Sequence, residues 1–419
     1  MLRLPVPQKV ILPSGATLLY QKNPVSPTIA FGVWVARGSS SEGTGERGLS
    51  HFLEHMVFRG TKSRDALRIA YDLESIGGQW DAFTSKESTC YHAKVLEEHF
   101  DRLADILADI VCRPSVPEDT FRLEKKVVQE EIRSVMDSPE EFAHDMFFET
   151  LFAGHPLGHP VTGYLKDVVS YSRDDLIAFH RKTYTAGDTT LGFVGNLPIA
   201  KVAEIAEERF RFARKGSSQP PRAPGVSRRR IRSERRSEWA QSHLCIGSQA
   251  VSASHPDRHA LIILASILGG GTTSRLFQSL RERNGLVYSV FTNVTFWREA
   301  GAMSTFFSVD AKNVERSLEI FHRELADLGA GNITREEIDS AKAQVKGAVV
   351  FGMESVETRL FQMIQSDFYY GRYMSASEVV RAIERVSLAS VADAARRYLV
   401  PKSLTYTTCG PVPLRGLIS

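Results

Sequence analysis

The chain repeats one order of predicted elements at a distance of 215 residues. Residues 172–198 combine a serine, a helix-forming segment, a short apolar run and a Gly/Pro turn, and residues 387–413 show the same order. The offsets agree, because 387 − 172 and 413 − 198 both equal 215. Ser172 and Ser387 stand where a helix N-cap is expected. Matched order and spacing favour an internal duplication over chance, so the sequence predicts two homologous domains.

Each half of the chain mixes strand-like and helix-like segments. Strand-like runs lie at 28–35, 88–95 and 301–309, whereas residues 100–111 carry apolar side chains at helical spacing. A chain of 419 residues is long enough for two hydrophobic cores. We therefore predict the α+β class, with two homologous α/β-sandwich domains that each pack a mainly antiparallel sheet against helices.

The predicted domain boundaries follow the composition. Residues 1–220 form the N-terminal domain and residues 238–419 the C-terminal domain, and residues 221–237 are predicted to link them. This linker is rich in Pro, Gly and Ser and holds six arginines between Arg228 and Arg236. An acidic partner could contact these arginines, but a solvated linker is favoured.

Net charge excludes some classes of partner. The chain carries 52 basic and 49 acidic residues, a formal net charge of +3, which is too balanced to indicate nucleic acid or an anionic membrane as the main partner. No run of about 20 apolar residues is present, and the N-terminus lacks the apolar core of a secretory signal. We therefore expect a cytoplasmic protein that neither binds nucleic acid nor enters a membrane.

The sequence His51-Phe52-Leu53-Glu54-His55 contains the residue types of a metal site. Positions i, i+3 and i+4 share one face of a helix, so both imidazoles and the Glu54 carboxylate are predicted to point the same way. The spacing H-x-x-E-H is the inverted zinc-peptidase motif. A solvated helix face is the competing interpretation. Zinc needs at least three protein ligands, so the motif is one ligand short.

A third ligand is predicted in the helical segment 121–132. Glu124 and Glu131 are seven residues apart, two helical turns, and therefore share a face. Glu130 is a competing ligand, but it points about 100° away from Glu131 on the same helix. On residues alone both glutamates stay candidates, with Glu131 preferred.

These motifs resemble the pitrilysin and insulysin family of zinc peptidases, most closely its mitochondrial-processing-peptidase-like branch. The resemblance implies that Glu131, 76 residues after His55, is the third ligand of one Zn²⁺ per chain. It also implies that Glu124 holds the metal site in shape. Two imidazoles and one carboxylate leave an open position on zinc, and Glu54 can then act as the general base of peptide hydrolysis.

The second half of the chain is predicted to lack the metal and to supply other catalytic groups. The offset of 215 aligns His51, His55 and Glu131 with Ser266, Gly270 and Lys346, none of which repeats a ligand.

Residues 268–290 instead resemble the family element G-G-G-x-x-S-R-L-F-x-x-x-R-E-x-x-G-L-x-Y-S-V. The resemblance implies that Arg281 and Tyr288 bind the substrate carbonyl and stabilise the oxyanion. The alternatives are a surface ion pair for Arg281 and a core position for Tyr288. The phosphate-binding patterns G-x-x-x-x-G-K-S/T and G-x-G-x-x-G are absent, which argues against a nucleotide.

Residues 77–84 resemble the family segment G-G-x-x-N-A-x-T, which implies a strand that pairs with an extended peptide. Gly78, Asp81, Ala82 and Phe83 are the predicted substrate-binding residues. Asp81 stands where asparagine is usual, and an ionised aspartate accepts hydrogen bonds but donates none.

Peptides are the expected substrates, and processing of leader or targeting peptides is one compatible role. Larger relatives join four such domains, so a homodimer is the simplest expected assembly. The alternatives are a catalytic subunit that acts only beside an inactive homologue and a non-catalytic peptide-binding or structural relative. The resemblance assigns no ligand role to His144, His155 or His159.

Overall fold

The structure is a computed structural model, and it describes residues 5–212, 216, 222–226 and 228–414. Within these residues it contains eleven β-strands and fourteen α-helices. The strands are β1 (Gln8–Ile11), β2 (Thr17–Lys22), β3 (Thr28–Val35), β4 (Gln79–Thr84), β5 (Thr89–Leu96), β6 (Thr189–Gly195), β7 (Arg230–Arg235), β8 (Gln241–Ala250), β9 (Val287–Phe296), β10 (Gly301–Asp310) and β11 (Thr405–Gly410). The helices are α1 (Leu49–Val57), α2 (Ala66–Ser75), α3 (Phe100–Cys112), α4 (Glu118–Asp137), α5 (Pro139–Leu151), α6 (Leu165–Ser170), α7 (Arg173–Thr183), α8 (Ile199–Arg209), α9 (Arg258–Gly269), α10 (Val314–Ala330), α11 (Arg335–Gly352), α12 (Val356–Tyr370), α13 (Ala376–Arg385) and α14 (Leu388–Tyr398).

The chain divides into two compact units, each built on one sheet. Unit 1 comprises residues 1–133, 159–221 and 351–375, and unit 2 comprises residues 134–158, 222–350 and 376–419. The sheet of unit 1 has the strand order β1-β2-β6-β3-β5-β4, and the sheet of unit 2 has the order β7-β11-β8-β10-β9.

The two sheets share one connectivity. In unit 1 the pair β2/β6 is parallel, and the other pairs are antiparallel. In unit 2 the pair β7/β11 is parallel, and the other pairs are antiparallel. The order β2-β6-β3-β5-β4 therefore repeats as β7-β11-β8-β10-β9. The predicted α+β class, with two mainly antiparallel sheets packed against helices, is confirmed, and the shared connectivity supports the duplication.

Two helices belong to the unit opposite to the one predicted from their place in the sequence. Helix α12, from the second half of the chain, packs on β3 and β6 of unit 1. Helix α5, from the first half, packs on β8 and β11 of unit 2. Their start positions, 139 and 356, differ by 217, close to the repeat offset of 215. The two helices are thus equivalent elements that have been exchanged.

The compact units consequently differ from the predicted contiguous domains 1–220 and 238–419. In unit 1, α12 contributes Val356, Leu360 and Ile364 to a buried cluster with side chains of the sheet, among them Trp34 and Val194. Burial of apolar area holds α12 there. An apolar helix face indicates that a helix must pack, but it does not indicate on which sheet.

Part of the predicted linker 221–237 is a strand, and this prediction was wrong for Arg230–Arg235. These residues form β7, which pairs in parallel with β11 at the edge of its sheet. An edge strand tolerates and often carries charged side chains, because one of its sides meets solvent. The arginines therefore suit an edge strand as well as a loop. Residues 221 and 227 lie outside the described residues.

In the described residues, no helix combines the length and the apolar character needed to cross a membrane.

Candidate metal centre

Helix α1 presents opposite faces to the core and to a cleft. Phe52, Leu53 and Met56 are fully buried in the core of unit 1. The helix begins after Gly48, whose φ of 86° lies in the left-handed region. A Cβ atom at this position would lie 2.5 Å from the carbonyl oxygen of Thr162, so only glycine fits this start. The remaining helix face carries the motif residues.

The three predicted ligands meet in the structure. His51 Nε2 lies 3.4 Å from Glu131 Oε1, and His55 Nε2 lies 3.4 Å from Glu131 Oε2. One ligand atom from each residue can be chosen so that all three lie within 4.8 Å of one another. Among the residues that the structure describes, no other group of three His, Cys, Asp or Glu side chains meets this criterion.

The donor set fits zinc. Two imidazole nitrogens and one carboxylate oxygen are the ligands of many catalytic zinc sites, which keep a further position open. Glu131 is 41% exposed at its side chain, so the site is reachable from solvent. Glu130, the competing candidate, is exposed and pairs with Arg133 on the same helix, and it does not belong to the ligand group.

Glu124 holds the second ring nitrogen of His55. His55 Nδ1 lies 2.8 Å from Glu124 Oε1, which leaves Nε2 to face Glu131. Arg59 donates to the same carboxylate, with its Nε 2.6 Å from Oε2. Burial acts to raise the pKa of Glu124, but the hydrogen bonds from His55 and Arg59 outweigh it and lower that pKa. An ionised Glu124 fixes the ring orientation of His55, as carboxylates commonly do for zinc-binding histidines.

The carboxylates also dominate the electrostatics of the ligands. Burial opposes the charged form of His55, but the hydrogen bond to Glu124 and the charges of Glu131 and Glu54 raise its pKa. The pKa of Glu131 is lowered, first by its hydrogen bond with His51 and against the effect of burial. The site is thus a concentration of negative charge that favours a cation.

Glu54 lies beside the ligands and is itself held in place. The Thr84 hydroxyl donates to Glu54 Oε2 at 2.6 Å. Glu54 and His55 line a cleft together with Arg59, Trp80 and other residues of α1, α2 and β4. One carboxylate oxygen of Glu54 therefore accepts a hydrogen bond from β4, the predicted substrate-binding strand. Glu54 also lies beside the predicted metal ligands.

Sequence reasoning missed three residues of this site: Arg59, Trp80 and Thr84. Arg59 is four residues after His55, a spacing that places two helical residues on one face. Trp80 and Thr84 lie at even spacing on a strand, so they share a face with Ala82. These two spacings could have identified them.

β4 is the edge strand of its sheet, because only β5 pairs with it among the described strands. Gly78 directly precedes β4, and a Cβ atom there would lie 2.7 Å from Val95 Cγ1. Asp81 Oδ1 accepts a hydrogen bond from the backbone N–H of Ala82 at 2.8 Å. Phe83 packs against Trp34, on the face opposite to Ala82. Because the Phe83 side chain is packed against Trp34, a peptide at this strand edge would contact the backbone of Phe83.

Arg281 and Tyr288 lie together in unit 2. The Arg281 guanidinium stands 5.2 Å from the Tyr288 ring centre and 4.7 Å from that of Phe277. Arg281 belongs to a π-helical stretch, Phe277–Glu282, and its contact with Glu282 is 3.7 Å long. Tyr288 is 80% exposed, so it is not a core residue. Their catalytic role stays a prediction.

Comparison with known families and proteins identifies both halves. The family described as "Insulinase (Peptidase family M16)" matches residues 17–164, which include the candidate metal centre. The family described as "Peptidase M16 inactive domain" matches residues 170–345, which include Arg281 and Tyr288.

Similar proteins extend over nearly the whole chain. A Bacillus subtilis (strain 168) protein named "Uncharacterized zinc protease YmxG" is 32% identical over 387 residues, which cover 92% of this chain and 93% of that protein. A Mycobacterium leprae (strain TN) protein named "Uncharacterized zinc protease ML0855" is 32% identical over 413 residues, which cover 96% of this chain and 91% of that protein.

Solved structures share the fold. A structure described as a peptidase M16 inactive domain from Pseudomonas fluorescens has a TM-score of 0.90 at 22% identity and covers 97% of this chain and 98% of its own. A protease from Helicobacter pylori has a TM-score of 0.90 at 22% identity, with 97% and 100% covered. These likenesses show the fold alone. The two family matches, and relatives that are 32% identical over more than nine-tenths of the chain, establish that this protein belongs to peptidase family M16.

Proposed function

We propose that this protein is a zinc-dependent metalloendopeptidase that binds one Zn²⁺ per chain and hydrolyses peptides held in extended form. The observation that carries this proposal is the meeting of His51, His55 and Glu131, with Glu54 beside them. Relatives named as zinc proteases support the choice of metal and reaction.

The residues of the site have separate roles in this proposal. His51, His55 and Glu131 hold zinc, which supplies Lewis acidity toward water and the scissile carbonyl. Glu54 accepts a proton from the attacking water and delivers it to the departing amine. The Thr84 hydroxyl, 2.6 Å from Glu54 Oε2, fixes the direction of that carboxylate. Glu124 keeps His55 in the tautomer and orientation for metal binding.

The open edge of β4 positions the substrate. An extended peptide can add to an exposed sheet edge through main-chain hydrogen bonds. β4 connects directly to the catalytic base, because Thr84 ends this strand and donates to Glu54. Arg281 and Tyr288 are proposed to bind the developing oxyanion, where fixed donors contribute most to rate.

Metal analysis combined with peptide cleavage tests the proposal. The wild-type chain is expected to bind about one zinc per chain and to cut extended peptides. Glu54→Gln should keep the zinc and lose activity, because the amide cannot accept the proton. Glu74→Gln is a matched control, since Glu74 is an exposed carboxylate of unit 1 outside the cleft. A wild type that binds zinc but cuts nothing in a diverse peptide library contradicts the proposal.

Two alternatives make different predictions for the purified chain. A catalytic subunit that needs an inactive homologue would bind zinc yet cut only after that homologue is added. A non-catalytic peptide-binding or structural relative would bind peptides without cutting them. Against the latter stands the complete set of His51, His55, Glu131 and Glu54. A chain in "Complex III2 from Candida albicans" shares this fold, with a TM-score of 0.84 at 17% identity. A shared fold does not by itself fix an activity, so the experiment on the purified chain decides.

We further propose a homodimer that encloses the substrate and a role in processing leader or targeting peptides. A solution mass equal to one 46.7 kDa chain, with full activity, contradicts the homodimer.

Cleavage-site profiling separates the processing of leader or targeting peptides from general peptide degradation. Processing predicts cuts confined to a few sites in leader sequences, and degradation predicts cuts throughout unrelated peptides.

A further inference from the structure

A cationic cavity of unit 1 contains none of the predicted metal ligands. It lies between the loops that follow α1 and α3 and one side of α7. Its lining includes four basic side chains, Lys62, Arg113, Arg173 and Arg181, and no Asp or Glu side chain. The full sequence carries a net charge of only +3, so the lining of this cavity is a strong local excess of positive charge. Like charges close together repel one another unless an anion lies between them.

The floor of the cavity is built rigidly. Arg173 donates to the backbone carbonyls of Ser115 and Val116, at 3.2 Å and 2.5 Å. Val116 has a φ of 45°, and it is the one non-glycine residue with positive φ in the described chain. A β-branched residue in this region is strained and persists only where its surroundings hold it. The Arg173 bonds hold this loop, so the cavity is organised before any ligand arrives.

Two of the four cations have no counter-charge in the described part of the chain. Arg113 pairs with Asp109, with its Nε 2.9 Å from Oδ1, and Arg173 approaches Asp174 at 3.6 Å. In the described residues no ion pair is formed by Lys62 or Arg181. Lys182, the neighbour of Arg181 on α7, does pair, with Glu46 at 2.6 Å. Lys62 and Arg181 thus line the cavity without an ion pair to a described residue.

Two further lining residues, Cys112 and His180, provide neither a nucleophile nor an additional positive charge. Burial raises the pKa of the Cys112 thiol to about 12, so this cysteine is not a nucleophile at neutral pH. Burial also lowers the pKa of His180, and the nearby Arg181 adds to that effect against the hydrogen bond with Val111. A neutral His180 donates its Nε2–H to the Val111 carbonyl at 2.8 Å.

Apolar side chains complete the wall. Ile177, Tyr184 and Phe212 line the same cavity as the cations. Pockets of this kind, with apolar walls and a few converging polar groups, suit small organic molecules better than bare inorganic ions.

We propose that this cavity binds a small organic anion, in which a phosphate or carboxylate group faces Lys62 and Arg181 and an apolar body lies against Ile177 and Phe212. Charge-assisted hydrogen bonds from lysine and arginine to an oxyanion are among the strongest in proteins. The site is separate from the proposed peptidase reaction, and its occupation does not depend on that reaction.

Calorimetric titration of the zinc-loaded full-length chain tests the proposal with phenyl phosphate, benzoate and inorganic phosphate. Phenyl phosphate or benzoate is expected to bind more tightly than inorganic phosphate because of the apolar wall, and the tighter of the two identifies the oxyanion. The double variant Lys62→Ala/Arg181→Ala should weaken binding roughly tenfold or more, since two charged donors are lost.

A matched double variant controls for net charge. Lys126→Ala/Lys182→Ala also removes two positive charges from unit 1, but neither residue lines the cavity. It should bind as the wild type does, and Lys62→Arg/Arg181→Lys should retain binding because the charges remain. Equal affinities of the cavity and control variants, equal affinities of the three anions, or no binding by the wild type at about 10 mM would overturn the proposal.

Discussion

Helices α1 and α9 occupy the same place in two copies of one fold, yet they carry different chemistry. Each follows the central strand of its sheet, β3 or β8, and precedes the strand pair at the sheet edge. Both helices are mostly buried, but α1 presents Glu54 and His55 to a cleft and His51 to Glu131, whereas the buried residues of α9 are alanine, leucine, isoleucine and glycine. The offset of 215 places Ser266 and Gly270 of the second copy at His51 and His55. The scaffold is therefore shared, and the metal site depends on the side chains placed on it.

A second difference lies at the start of these helices. Glu42 accepts backbone N–H bonds from Gly48 and Ser50, both at 2.8 Å, at the start of α1. The residue at the offset of 215 is Asp257, which caps no backbone group of α9 and instead pairs with Arg397 at 2.8 Å. In unit 1 the buried Glu42 carboxylate, which pairs with no described Lys, Arg or His, holds the helix that carries the motif.

Substitution of the third ligand, Glu131, is expected to have the largest effect. It tests whether the metal site belongs to the first copy alone. Glu131→Gln should reduce zinc from about one per chain to near zero and abolish cleavage, because the amide is a poor substitute for an anionic ligand. Glu130→Gln, one residue away on α4, should change neither, since Glu130 pairs with Arg133 outside the ligand group. Zinc content by atomic emission gives the answer, and two zinc ions per chain would contradict a metal-free second copy.

The contribution of unit 2 is tested by Arg281→Ala and Tyr288→Phe. Each is expected to lower kcat about 10²-fold, the usual effect of losing one oxyanion donor, with zinc content unchanged. Thermal stability should stay the same for Tyr288→Phe because Tyr288 is 80% exposed. Arg283→Ala, an exposed neighbour of Arg281, is the control. An unchanged kcat in both variants would mean that the second copy supplies no catalytic group.

Glu124→Gln is expected to weaken zinc binding or activity roughly 10–100-fold, because an outer carboxylate orients the ligand histidine. Competition with a chelator measures the affinity. The control is Asp339→Asn, since 339 − 124 is 215 and Asp339 is exposed on α11 in the copy without a metal. Equal losses in the two variants would show that charge alone, and not contact with His55, causes the effect.

The smallest effect concerns pH and the start of α1. Burial raises the pKa of Glu42 to about 7 from its ordinary value of 4.5, against the hydrogen bonds from Ser50 and Gly48. The folded protein then binds more protons than the unfolded chain between these values, so its stability falls as the pH rises from about 4.5 to about 7. In zinc-free protein, Glu42→Gln should flatten this fall in thermal midpoint. Asp257→Asn should leave the slope unchanged, and an unaltered slope in Glu42→Gln would refute the assignment.

Local patterns were sufficient to predict much of the fold and the ligand group. Helical spacing joined His51 to His55, and strand patterns located β3 and β10 within a residue. Selection of Glu131 over Glu130 followed from the face they present and from family resemblance. In the structure Glu131 lies 3.4 Å from both histidines, whereas Glu130 pairs with Arg133, and the ligand role of Glu131 stays a prediction.

Long-range packing could not be predicted in the same way. The hydroxyl of Thr84 meets Glu54 across 30 residues, and Arg59 meets Glu124 across 65. Such contacts depend on how elements pack, which a local period does not specify. The same limit explains why the sequence predicts a linker where the structure forms β7. Its arginines are compatible with either state, and only the pairing with β11 decides.

The exchange of α5 and α12 affects how the chain can fold during its synthesis on the ribosome. Unit 1 receives Leu360 and Ile364 from α12, so its sheet face stays uncovered until synthesis has passed residue 370. Domains usually fold in the order in which they are made. Here a nascent chain that stops near residue 220 would expose the apolar surface around Trp34 and Val194. Unit 1 therefore cannot complete its core before α12 has been synthesised, so the two copies complete folding together.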